Sequence, residues 1–387
     1  MKLPELLRRI RHAALWQYIR RVHPLADRLS VRWGRAARLL RWPLPPMAPH
    51  RRRRLDVARP MALGDVLMCT PALREVKRLN PDCRITFYTR DAFRDLAASC
   101  PFVDAVRPID EAPPDAVWMF YERAMRRRIR LADGSVPPDS ADWKIVPPRR
   151  HLARILGDHL GVDVRDVRPS CTADPAEVDR FRHDWKDLPR PWVVIAREAG
   201  DFTRNKDWPN EYWETLLDRL LTRCTIVEVG TARREDRRPR PEPHHLDMVG
   251  RTTITQLIAA VAAADLLITP ETGAMHIAAA VGTPAVVIFG GYIDPIATGY
   301  PGHIHLYSPV ECAPCWLRTP CPYGRKCLHQ ITPDQVEDAA ARLWPEGWRS
   351  PPGRLAEDGP GGRGLLHAHA GAAPTDQQPD DQIPESR

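Results

Sequence analysis

The chain has 387 residues, 43% of them hydrophobic, and a formal net charge of +8. That length and apolar content exclude a wholly disordered chain and support two ordinary domains with their own cores. No uninterrupted apolar run approaches the roughly 18 residues needed to span a bilayer, and no early apolar stretch ends in a small-residue cleavage site, so the sequence reads as cytosolic.

Residues 1–54 carry most of the basic charge. Fifteen Lys and Arg stand there against Glu5 and Asp27, a local net of +13 that leaves the rest of the chain near −5. Leu6, Leu7, Ile10, Leu15, Trp16 and Ile19 fall between the arginines. This basic amphipathic pattern suits an anionic membrane surface, at roughly 1 kcal/mol per basic residue near lipid, and suits a solvated extension equally well. Nucleic acid would attract the same charge, but nothing further along the chain supports it as a partner.

From residue 55 short apolar runs alternate with helical periods, the pattern of βα units around a mainly parallel sheet. Strands are predicted at "ITFYT" (85–89) and "AVWMFY" (116–121). The stretch "LGDVLMCTPALREVKRLNP" (63–81) has helical spacing, and Pro71 either kinks that helix or begins it together with Thr70. Arg126, Arg127, Arg128 and Arg130 follow the second strand and either meet an anionic acceptor or form a solvated face. Residues 163–190, with "DLPRP", read as a linker.

A second series follows: strand "WVVIA" from 192, helix 210–222, strand 225–230, helix 254–263, strand 265–269, helix 274–281 and strand 285–290. A helix over 332–344 closes it, and 350–387, rich in Pro, Gly, Asp and Gln, is predicted to be disordered. The expected organisation is an arm over 1–54, Rossmann-like domains over 55–187 and 188–348, and a tail over 349–387. In doubly wound sheets of this kind ligands bind outside the carboxyl ends of the strands.

Of nine cysteines, Cys69, Cys83, Cys100, Cys171 and Cys224 are scattered, whereas Cys312, Cys315, Cys321 and Cys327 form a C-x2-C-x5-C-x5-C cluster. Four thiolates in sixteen residues, turned by Pro and Gly, suit a structural zinc or iron site; the alternative is reduced thiols packing a loop.

In "LLITPETGAMHIAAAVGTPAVVIFGG" a strand runs through a short loop into a helix starting near Ala274. Gly273 allows close backbone approach, Thr272 offers a hydroxyl and His276 a ring nitrogen, beside a helix N-terminus that favours anions. The same residues would also serve as a plain cap on a packing helix. This run resembles the signature of glycosyltransferase family 9, the ADP-heptose:lipopolysaccharide heptosyltransferases, through Thr272, Gly273, His276, Ala278, Ala279, Ala280, Pro284, Phe289 and Gly290. It departs at Glu271, where the family usually has Asp, and at "GGYIDP", where the family usually has Thr after the F-G pair.

Three further segments match the family in order: Gly64, Asp65, Leu67, Thr70, Pro71 and Pro81 in the first domain, Lys206, Trp208 and Pro209 in a K-x-W-P loop, and the stretch around Gly250 before the signature. The resemblance implies the α/β GT-B architecture, two Rossmann-like doubly wound domains facing each other across a cleft, with acceptor on the first and nucleotide sugar on the second. It implies inverting transfer, with Asp65 as base, Gly64 on the acceptor side, and Lys206, Glu271, Thr272, Gly273 and His276 at the donor.

ADP-heptose is the donor it favours, a lipopolysaccharide or other cell-surface glycan precursor the acceptor, and no cofactor is required for transfer. Cysteine-rich insertions occur at the same point in many members, and one branch holds iron there. Two alternatives stand beside this reading: a nucleotide-binding scaffold without turnover, and a protein-modifying heptosyltransferase with a cysteine-bound metal.

Overall fold

A computed structural model describes residues 48–121, 126–127, 144–145, 148–200, 203–232, 237, 240–317 and 319–344. Residues 1–47 of the basic arm, Arg128, Arg130 and the whole tail over 349–387 therefore lie outside the described residues.

The first sheet contains β1 (Arg54–Ala58), β2 (Arg84–Thr89), β3 (Ala105–Pro108) and β4 (Val117–Trp118), all parallel, in the order β3-β2-β1-β4. Between β1 and β2 runs α1 (Leu63–Leu79), which buries Val66, Leu67, Leu73 and Val76. Pro71 neither begins this helix nor ends it. A proline leaves the carbonyl four residues earlier without its N–H partner, and here the Thr70 hydroxyl donates to that carbonyl, Leu67 O, at 2.7 Å.

The expected strand over 116–121 is reduced to two residues. The Arg59 guanidinium donates to the Met119 carbonyl at 2.6 Å, and the chain then turns Phe120 and Tyr121 toward that arginine. A short helix α2 (Arg94–Ala98) follows β2, Arg126–Arg127 and Lys144–Ile145 form an antiparallel pair, β5 and β6, and α3 (Leu152–Leu160) packs against α1. The 163–190 stretch is more than a linker. It contains α4 (Pro175–Trp185), started by Asp174 accepting from Ala176 N–H at 3.0 Å with Pro175 as its first residue.

The second sheet comprises β7 (Trp192–Ile195), β8 (Thr225–Glu228), β9 (His245–Asp247), β10 (Leu266–Pro270), β11 (Ala285–Gly290) and β12 (His303–Tyr307), again parallel, ordered β12-β11-β10-β7-β8-β9. Every residue of β7, β8, β10 and β11 is buried, as a parallel sheet covered on both faces requires. Its strands are joined through α5 (Asn210–Leu220), α6 (Ile254–Ala263), α7 (Gly273–Val281) and α8 (Pro295–Thr298), and α9 (Lys326–His329) and α10 (Pro333–Leu343) follow the last strand.

Val193 and Ile195 pack with Trp213 and Leu216 of α5 and Val336 of α10, whereas Val194 on the opposite face joins Ile258 of α6 and Met275 of α7. α4 packs on α6, and α1 packs on α7, so one apolar core runs from Leu67 in the first half to Met275 in the second. Among the described residues no helix is long and apolar enough to cross a membrane.

Candidate active site

Asp65 is the third residue of α1, placed there by the turn that follows β1. Its Oδ2 accepts the Ala62 N–H at 2.9 Å; its Oδ1 accepts the Tyr121 O–H at 2.6 Å and meets the Arg59 guanidinium at 2.9 Å. Arg59 is fully buried, with the Tyr121 ring 4.6 Å and the Phe120 ring 5.5 Å from its guanidinium carbon. Burial alone would push the Asp65 carboxyl up, but Arg59 and the hydrogen bonds from Tyr121 and Ala62 hold it below the usual carboxylate range. Asp65 is thus an oriented carboxylate as well as a helix cap. Arg59 and Tyr121 were not found from the sequence; the signal available was an arginine directly after the apolar strand "LDVA".

On the other half, Thr272 caps α7, accepting from Ala274 N–H at 3.3 Å and sharing a 2.9 Å hydrogen bond with the Thr269 hydroxyl. Lys206 ends a short turn whose start is capped by Thr203, which accepts from Asn205 N–H at 3.1 Å. Its ammonium is ion-paired to the buried Glu271 carboxylate and lies 4.8 Å from the centre of the Tyr292 ring. Glu271 and Tyr292 occupy the two places where the chain departs from the signature it resembles.

His276, in the first turn of α7, is buried, and its Nδ1 is 2.6 Å from the Tyr300 hydroxyl. Burial pushes its pKa down to about 4, against the opposing pull of Glu271 and Asp65. It therefore feels a carboxylate from each half.

The starts of α1 and α7 abut. A Cβ on Gly64 would stand 2.5 Å from His276 Cδ2 and 2.7 Å from Nε2, and a Cβ on Gly273 would stand 2.8 Å from Leu63 Cδ2. Leu63 approaches Gly273 and His276 approaches Gly64, so both glycines are required by the packing of the two helix starts. Those starts bring two positive dipole ends together, and Asp65 and Glu271 lie beside them.

The cysteine loop is tied to the lysine turn. Buried Asn205 donates to the Leu317 and Thr319 carbonyls, both at 2.8 Å, and accepts from Cys321 N–H at 3.1 Å; Cys315 N–H and Trp316 N–H donate to the Gly291 and Tyr292 carbonyls, each at 3.1 Å. Cys312, Cys315, Cys321 and Cys327 are unlinked. Burial raises the Cys315 and Cys327 thiols, and the neighbouring thiols add to this. Among the described residues no group of three or more His, Cys, Asp or Glu side chains is placed to hold a metal ion. The zinc or iron set expected from the spacing is thus not assembled among the described residues.

Two Rossmann-like sheets, with an oriented carboxylate on one half and a cation with a histidine on the other, form a GT-B fold. The model for the family described as glycosyltransferase family 9 (heptosyltransferase) matches residues 131–319. Lipopolysaccharide heptosyltransferase 1 of Pseudomonas aeruginosa is 24% identical over 315 residues, 70% of this chain and 88% of that protein.

Among solved structures, ADP-heptose LPS heptosyltransferase II of Escherichia coli superposes with a TM-score of 0.55 at 15% identity, covering 75% of this chain and 98% of that one. The iron-containing dodecameric glycosyltransferase TibC from enterotoxigenic Escherichia coli gives 0.54 at 17% identity, covering 75% of each chain. Over residues 131–319 the chain is similar to glycosyltransferase family 9, and with these relatives it is a glycosyltransferase.

Proposed function

We propose that this protein moves heptose from ADP-heptose to a hydroxyl of a lipopolysaccharide or related cell-surface glycan precursor, with inversion at the anomeric carbon. The observation that carries the reading is the convergence of Asp65 from α1 with His276, Glu271 and Lys206 from the other half, where the two helix starts abut. The names of the relatives support the donor and the acceptor class.

In this reading Asp65 takes the proton of the acceptor hydroxyl as its oxygen bonds to the anomeric carbon, and the bond to the diphosphate breaks on the opposite face. Arg59 and Tyr121 hold the carboxylate in place and keep it ionised. Lys206 leaves Glu271 to take the diphosphate charge, which frees the Glu271 carboxylate for the sugar hydroxyls. A lysine supplies the charge that the leaving group needs, so transfer requires no cofactor.

The test is Asp65→Ala assayed with ADP-heptose and an acceptor lacking the added heptose. Donor binding should persist, read as thermal stabilisation, while transfer falls at least a hundredfold, the usual scale of a lost general base. Transfer near the wild-type rate would remove Asp65 from the role of base. Stabilisation by another nucleotide sugar but not by ADP-heptose would remove heptose as the transferred group.

A further inference from the structure

Tyr300 precedes β12 and stands in a buried group of aromatic side chains, its ring centre 5.4 Å from that of His276, 5.3 Å from His151 and 6.0 Å from His303. It is 1% exposed, and its backbone N–H donates to His305 Nε2 at 3.2 Å. Among the described residues its hydroxyl has one hydrogen-bond partner, His276 Nδ1, at 2.6 Å.

That contact can form in two ways. If His276 carried its proton on Nδ1, the imidazole would donate to the phenol oxygen, and the phenol hydrogen would be left buried without an acceptor. An unmet buried donor is costly. If the phenol donates to Nδ1, both groups are satisfied and the ring proton must sit on Nε2. Burial favours the neutral form of each group, raising the Tyr300 hydroxyl well above its ordinary value and pushing His276 down to about 4.

The other edge of the same ring, Cδ2 and Nε2, lies against Gly64, the residue before Asp65. We propose that Tyr300 is a positioning residue, which donates to His276 Nδ1 and so fixes the imidazole as the Nε2–H tautomer, presenting a permanent hydrogen-bond donor at the junction of the α1 and α7 starts. This rests on the transferase reading for its purpose: the donor serves an oxygen of the bound nucleotide sugar. The tautomer itself rests on the fold alone.

Long-range proton–nitrogen NMR of the full chain labelled with 15N-histidine tests it, with His276 assigned by the resonance lost in His276→Gln. The wild-type protein should show His276 neutral and protonated on Nε2. Tyr300→Phe should give a mixture of tautomers and lower kcat/KM for the nucleotide sugar roughly tenfold, the scale of one lost hydrogen bond. A glutamine amide places an N–H near the Nε2 position without needing Tyr300. His276→Gln should therefore retain more activity than His276→Asn, and adding Tyr300→Phe to it should change kcat/KM less than twofold.

A wild-type proton on Nδ1, a charged His276 at neutral pH, an unchanged tautomer in Tyr300→Phe, or an undiminished tenfold loss in the glutamine background would each overturn the proposal. An Nε2–H tautomer lost in Tyr300→Phe, in a protein that transfers from no nucleotide sugar, would uphold the tautomer assignment and sink the transferase reading.

Discussion

The Lys206 ammonium and the Glu271 carboxylate neutralise each other although they are 65 positions apart in the chain. Their side chains are 18% and 7% exposed, so the pair is largely withdrawn from water. Removing one partner leaves the other charge stranded, which costs more than replacing both. Lys206→Met is expected to lower stability by about 3–5 kcal/mol in urea unfolding, and Lys206→Met with Glu271→Leu to recover most of it. Neither variant should transfer sugar, because the cation for the leaving group is gone in both. Equal stability losses in the single and double variants would show that the ion pair is not what the single change disrupts.

Gly64→Ala tests the contact between the helix starts. The added methyl would stand 2.5 Å from a buried imidazole, so the halves must separate or the ring must leave Tyr300. Overpacking of this kind costs about 1–3 kcal/mol. The urea midpoint should fall accordingly, and kcat/KM should fall by more than the stability loss explains, since the same movement misplaces Asp65. A fully active, fully stable variant would show that the two helix starts are not in contact in solution.

Asn205 links the cysteine loop to Lys206. Asn205→Ala deletes three hydrogen bonds to residues 317–321, at roughly 0.5–1.5 kcal/mol each. The expected result is a several-fold rise in KM for the nucleotide sugar with a smaller change in kcat, together with faster reaction of Cys321 with a thiol reagent. Unchanged thiol reactivity would mean that the loop is held by its other contacts.

Three buried histidines set the acid stability. Burial pushes His276 down to about 4 and His151 and His303 to about 3, whereas an unfolded histidine titrates near 6.5. Each is neutral in the fold and charged in the unfolded chain between those values, so unfolding takes up protons there. The stabilisation is complete above about pH 6.5 and is lost as pH falls toward the folded values, at about 1.4 kcal/mol per pH unit for each histidine. Urea unfolding at pH 7 and pH 5 should show a marked loss at the lower pH, and His303→Gln should make the slope shallower. A pH-independent midpoint over that interval would mean that the histidines titrate normally in the fold.

Local chemistry was legible in the sequence. The apolar periods marked α1, α5, α6 and α7 and the strands of the second sheet, because helix and strand patterns depend on neighbours a few residues away. The cap at Thr272 and the carboxylate at the start of α1 were legible for the same reason. α4 lies in the stretch whose sequence reads as linker: its polar composition, with only Val178, Phe181 and Trp185 buried, weakens the periodic signal.

The sequence by itself also carried the resemblance to glycosyltransferase family 9 and brought forward Asp65, Lys206, Glu271 and His276 as the residues to watch. Only the tertiary structure decided what each of them meets: Arg59 and Tyr121 on Asp65, Lys206 on Glu271, Tyr300 on His276, and helix starts against Gly64 and Gly273. The physical reason is range. Periodicity and capping are fixed by groups within a turn of one another, whereas ion pairs, tautomers and close approaches depend on which strand ends two separate sheets bring together.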